Sequence, residues 1–185
     1  MRIISGQLKG RKLSEPVDKL TRPLKDLTKE SIFNILTHSN KFKINLENSD
    51  VLDLFSGVGS FGIECLSRGA RHVTFIENYN DVLKILKKNL ENLALKKNFT
   101  IIEQNIFDGL NFENNKFDIV FIDPPYKENR INKILADIYQ KKILKKNSII
   151  IIHRHEDEND AFPQNLRIVE EKIYGISKII FCLFI

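Results

Sequence analysis

Long apolar runs, cysteines and a leader-like start are what this chain of 185 residues is short of. No apolar stretch approaches the roughly 18 residues needed to cross a bilayer. The opening MRIISGQLKGRKL lacks the apolar core of a secretory signal. The expectation is a soluble protein that stays in the cytoplasm, where it is made. The two cysteines, Cys65 and Cys182, each sit inside an apolar segment, which argues against a disulfide or metal framework and for two buried thiols. Among the four histidines, His153 and His155 would share one face of a strand. No cysteine lies nearby and Glu156, Asp157 and Glu158 follow, so a solvated strand end without metal is expected. Internal repeats are also missing, and this length holds one substantial core with a small extension. Nothing calls for more than a monomer.

Positive charge is present but unevenly spread. Residues 1–43 carry ten Lys or Arg against four Asp or Glu, a net of +6, and the remainder carries 19 against 20, a net of −1. A basic arm on a near-neutral body is the footprint of a polyanion-binding element, because each phosphate it neutralises releases condensed counterions.

Residues 2–13 read as two short strands broken by glycines, and TRP at 21–23 interrupts the chain before Leu24, Leu27, Ile32, Ile35 and Leu36 take helical spacing. A helix is predicted over 24–37. After a polar connection at 38–50, the apolar runs VLDLF, HVTFIE, FTIIEQ, FDIVFID and SIIIIHR alternate with helical patterns, including 60–68 and 80–95. This alternation predicts a mostly parallel sheet with helices on both faces. LRIVEEKIYG and SKIIFCLFI, joined around Gly175, leave no room for a crossover helix and must pair as an antiparallel hairpin.

The first strand runs into DLFSGVGSFG, where Gly57, Gly59 and Gly62 take the spacing G-x-G-x-x-G and Glu77 follows twenty residues after Gly57. Glycines at a strand-to-helix turn let a ligand approach the backbone beside unpaired helix N–H groups. That suits either a dinucleotide or S-adenosylmethionine (SAM). Asp53 separates them: its carboxylate near the strand end repels a pyrophosphate and attracts a sulfonium and an ammonium. Glu77 can accept hydrogen bonds from ribose hydroxyls. Asn105 stands where it can meet an adenine amine, with Ile106 against the ring, or simply make a turn. Phe55 and Asn78 flank these positions and complete the cofactor-binding candidates.

The strand FDIVFI leads into Asp123-Pro124-Pro125-Tyr126, at the end of the sheet where ligands bind in such folds. A nucleobase amine is a poor nucleophile because its lone pair is delocalised. Accepting its hydrogens on the Asp123 carboxylate and the Pro124 carbonyl localises that pair, Pro125 stiffens the turn, and Tyr126 can stack on an extruded base. No metal is required.

With RIISGQLKGRKL, TRPLKDLTKESIFNIL, DLFSGVGSFGIECLSRGA and the terminal YGISKIIFCLF, the chain resembles the RsmD family across nearly its whole length. The resemblance implies a Rossmann-like class I SAM-dependent methyltransferase fold: an α/β, mostly parallel seven-stranded sheet with a C-terminal antiparallel hairpin. It implies a domain at 44–185 and a basic extension at 1–43, a short β-hairpin plus helix, that docks RNA. It further implies transfer of methyl from SAM to the N2 amine of a guanine in 16S rRNA, within the small ribosomal subunit or its assembly intermediate. Arg2, Lys9, Arg11, Lys12 and Arg22 would hold phosphates. The chain departs from the family at Leu24, Leu27 and Thr28, where Thr, Arg and Val are common, and at Asn105, where Asp is frequent. Adenine-N6 in DNA, a protein glutamine, and a non-catalytic ribosome assembly factor are the alternatives.

Overall fold

A computed structural model describes residues 1–16, 24–95, 98–112 and 116–185. Within these residues seven strands form one sheet in the order β3-β2-β1-β4-β5-β7-β6. They are β1 (Asp50–Leu54), β2 (His72–Glu77), β3 (Phe99–Glu103), β4 (Phe117–Ile122), β5 (Leu144–His155), β6 (Leu166–Tyr174) and β7 (Ser177–Phe184). The pairs from β3 through β5 are parallel, and β7 is antiparallel to both β5 and β6. The mostly parallel sheet with its C-terminal hairpin is therefore as expected. The hairpin follows from length, because the turn around Gly175, at φ +59°, is too short for a crossover.

Among the described residues four helices cover the sheet: α1 (Asp26–His38), α2 (Ser60–Ser67), α3 (Asn80–Asn92) and α4 (Ile131–Gln140). Strand parity assigns them to two cores. Val51, Phe121, Ile151 and Phe181 pack with Phe33 of α1, Phe61 of α2 and Leu86 of α3, whereas Leu52, Leu54, Ile122 and Ile152 pack with Ile134 and Leu135 of α4. All five residues of β1 are buried, as a central strand covered on both faces requires. Each such buried Phe, Leu or Ile contributes roughly 1.5–3 kcal/mol. Both cysteines are buried and free. Burial pushes the Cys182 thiol up to about 12.

The two strands expected at residues 2–13 reduce to one antiparallel bridge, Arg2 with Lys12. Ile3 N–H on the Arg11 carbonyl at 2.9 Å, Gly10 N–H on the Ile3 carbonyl at 2.8 Å and Leu13 N–H on the Met1 carbonyl at 3.1 Å also close the arm on itself, and the residues between donate to α2. Ile4 and Ser5 donate to the Glu64 carboxylate at 2.8 and 2.9 Å, Gln7 to the Ser67 carbonyl at 2.7 Å and Leu8 to Ser67 Oγ at 3.0 Å. Gly6, at φ +83°, lies so close to α2 that a Cβ would fall 1.9 Å from the Ser67 carbonyl oxygen. Ile3 and Leu13 enter the same core as α1 and α2. Among the described residues, no helix is long and apolar enough to cross a membrane.

Candidate active site

Register brings the polar strand ends together. Asp53 pairs with Phe75 and Phe121, and Phe121 with Ile151. Glu77, Asp123 and His153 lie two residues beyond those partners, so all four side chains share the sheet face covered by α2 and α3. They border a cavity of about 930 Å³ at the carboxyl ends of the strands. Phe55, Gly57, Asn78, Asn105 and Ile106 line it from the loops, and Asp123, Pro124, Pro125 and Tyr126 line its other wall. Gly59 does not line it. At φ +84° it turns the chain into α2, and a Cβ there would lie 2.5 Å from Leu86 Cδ1, so its glycine serves the turn and the packing.

Asp53 is 1% exposed, and its Oδ2 accepts the Gly62 N–H at 3.0 Å, tying β1 to α2. Burial first, then the nearby Asp123 and Glu77 carboxylates, raise its carboxyl well above the usual range, against the Gly62 hydrogen bond. A cation in the cavity relieves this, and a pyrophosphate aggravates it. Glu77 is anchored by backbone: Oε2 accepts Gly57 N–H at 2.9 Å, and Oε1 accepts Asn78 and Tyr79 N–H at 2.8 and 3.0 Å. Asn105 makes the turn that was its alternative reading, its Oδ1 accepting Phe107 N–H at 3.0 Å to cap a 3-10 turn at Ile106–Asp108. Ser56 Oγ is buried in the cavity wall and is the one buried side-chain N or O atom without a hydrogen-bond partner among the described residues. An orphaned hydroxyl, a left-handed Gly57 at φ +56° and a carboxylate-rich wall fit a cationic nucleoside such as SAM.

His153 corrects the expectation of a solvated strand end. It is 8% exposed, and its Nδ1 lies 2.8 Å from Asp123 Oδ1. The reason is pairing: β5 continues to His155 because β7 pairs with it there, His153 against Ile179 and His155 against Ser177. Arg154, on the opposite parity, is buried and pairs with the half-buried Asp160 at 2.8 Å and Glu158 at 3.2 Å. His155 meets the Tyr126 ring edge-on, with centroids 5.5 Å apart.

The cavity has further walls that the motifs did not announce. Phe61 and Phe121 stack in its floor with centroids 4.1 Å apart. Arg130, forked onto Glu128 at 2.6 and 2.7 Å, covers the Phe107 ring at 3.6 Å, and Phe107 leans on Phe55 at 6.1 Å. Phe55 adopts φ +57°, an uncommon conformation for a bulky residue, beside the ligand space. A signal for Phe107 was its place one residue after Ile106. Glu128 and Arg130 had none. Arg2, Lys9, Arg11 and Lys12 are exposed on the arm, Arg22 lies outside the described residues, and Pro16 and Leu24 bring the arm to the cavity edge.

Known proteins resemble this chain over most of its length. The family model described as Conserved hypothetical protein 95 matches residues 1–183. Ribosomal RNA small subunit methyltransferase D of Haemophilus influenzae is 36% identical over 179 residues, spanning 95% of this chain and 90% of that protein. The protein of the same name from Buchnera aphidicola is 37% identical over 172 residues, 92% and 86% of the two chains. The solved structure of yhhF from Escherichia coli superposes with a TM-score of 0.83 at 28% identity, covering 98% of this chain and 96% of that one.

Proposed function

Because the chain belongs to the RsmD family, whose model is described as Conserved hypothetical protein 95, we propose that it methylates the exocyclic N2 amine of a guanine in 16S rRNA, using SAM. Relatives named ribosomal RNA small subunit methyltransferase D support the rRNA of the small subunit as substrate. The carrying observation is that Asp123 lines the same cavity as Asp53 and the Pro124-Pro125-Tyr126 turn.

SAM supplies an electrophilic methyl group on a sulfonium. The chain's residues hold and orient. Asp53, Glu77, Gly57, Ser56, Asn78, Asn105, Ile106 and Phe55 form the cofactor side, where negative charge favours a cation. Asp123 and the Pro124 carbonyl accept the hydrogens of the guanine amine, which restores lone-pair density to nitrogen, and Tyr126 offers a face to the flipped base. Residues 1–43 form the RNA-docking extension on the 44–185 catalytic domain, with Arg2, Lys9, Arg11, Lys12 and Arg22 on phosphates. The protein acts as a cytoplasmic monomer on the small subunit or its assembly intermediate.

The test is nucleoside mass spectrometry of small subunits lacking the modification, incubated with methyl-labelled SAM. Labelled N2-methylguanosine with wild type, and none with Asp123→Ala at unchanged SAM affinity, is the expected result. Label on another nucleoside, or none despite SAM binding, overturns the assignment.

A further inference from the structure

Behind Asp123 runs a polar chain that the proposed reading leaves unused. Asp123 Oδ1 lies 2.8 Å from His153 Nδ1, and His153 Nε2 lies 3.0 Å from Ser177 Oγ. Each member comes from a different strand: Asp123 follows β4, His153 lies on β5 and Ser177 opens β7. The sheet sets their spacing, since Ile122 pairs with Ile152 and His153 with Ile179. Ser177, at 7% exposure, is not among the residues lining the cavity. The array therefore has the membership of an acyl-transfer triad without presenting the serine to a substrate.

We propose that His153 is a positioning residue for Asp123: its Nδ1–H donates to Oδ1, holding Oδ2 toward the cavity as the acceptor for the substrate amine. This rests on the methyl-transfer reading of the cavity and adds how its acceptor is held. The Ser177 hydroxyl, donating to Nε2, keeps the ring proton on Nδ1. Such support is needed because Asp123 shares its wall with Asp53 and Glu77. A donor on the adjacent strand bonds one Asp123 oxygen and leaves the other for the substrate amine. A side chain just past the end of a strand has free χ angles. A bond from a ring on the adjacent strand removes that freedom before substrate arrives, which is where orientation contributes to rate.

Two measurements decide it. Nitrogen-15 NMR of histidine-labelled protein, without substrate, should find His153 in the Nδ1–H tautomer, with the Nε2–H form rising in Asp123→Ala. On the ribosomal substrate, His153→Leu should lower kcat roughly 10- to 100-fold with KM and SAM affinity unchanged. His153→Asn, whose amide N–H falls near the place of Nδ1, should recover most of that loss. An Nε2–H tautomer in wild type, equal losses in the Leu and Asn variants, or a loss confined to KM or SAM affinity overturns the proposal. Should wild type methylate no guanine, the substrate assignment fails and the tautomer alone decides the positioning role.

Discussion

Removing the Glu64 carboxylate should detach the N-terminal arm from the catalytic body. Glu64 is fully buried, and its two oxygens accept Ile4 N–H at 2.8 Å, Ser5 N–H at 2.9 Å and Arg68 Nε–H at 2.8 Å. They also face the buried Lys29 ammonium at 3.7 Å. Glu64→Ala leaves two backbone donors unsatisfied, at about 1–3 kcal/mol each, and strips Lys29 of its counter-charge. Breaking a buried pair from one side costs about 3–5 kcal/mol, so that is the expected loss in urea unfolding. The arm can reduce the loss by undocking, but this exposes Ile3 and Leu13, at roughly 1.5–3 kcal/mol apiece. Amide exchange should therefore quicken at Ile4 and Ser5 ahead of the sheet. Lys29 also sets a pH dependence. Burial holds its ammonium below the ordinary 10.5 although Glu64 and Asp26 pull it up. Between the lowered value and 10.5 the unfolded chain binds more protons, so Lys29 makes stability rise with pH there, and Lys29→Met should remove that rise. A Glu64→Ala protein that loses less than about 1 kcal/mol, with Ile4 and Ser5 still protected, would mean that Glu64 does not hold the arm.

Three further outcomes follow from the cavity and the arm. Asp53 has its carboxyl raised above 3.8 by burial and by its neighbours, so it favours the fold below 3.8 and loses that contribution as pH rises through the raised value. Asp53→Asn, which keeps an acceptor for Gly62, should raise the Tm of the ligand-free protein at neutral pH while weakening SAM binding in calorimetry. A lower Tm would count against the buried-charge account. Gly57→Ala meets no atom nearer than 4.0 Å but takes φ +56°, so it should cost only about 1–2 kcal/mol of stability. Its loss of SAM affinity should be larger than that strain accounts for, and unchanged affinity would remove Gly57 from the cofactor site. Charge reversal at two of Lys9, Arg11 and Lys12 should weaken RNA binding and flatten its salt dependence, by about 0.7–0.9 in log–log slope for each phosphate no longer neutralised. An unaltered slope would dismiss the arm as docking element.

The β-α alternation, the terminal hairpin and the two site motifs were legible in the residues because they rest on local rules. Strand and helix periods, a loop too short for a crossover, and glycines where a turn demands positive φ need only neighbours in the chain. The cofactor-side candidates other than Gly59, and the Asp123 to Tyr126 turn, accordingly line one cavity. What depended on pairing was out of reach. That Ile4 and Ser5 donate to α2 depends on Glu64, some sixty residues away. Asn105 was open between ligand and turn until its side chain met Phe107 N–H. His153 looked like the frayed end of a strand because the chain alone does not say that β7 runs alongside it, nor that β4 and β5 align Ile122 with Ile152 and so set a ring beside Asp123. The chain's residues alone fix which positions carry charge and where the β-α alternation runs. Only the tertiary structure, through strand register, decided which of those charges meet.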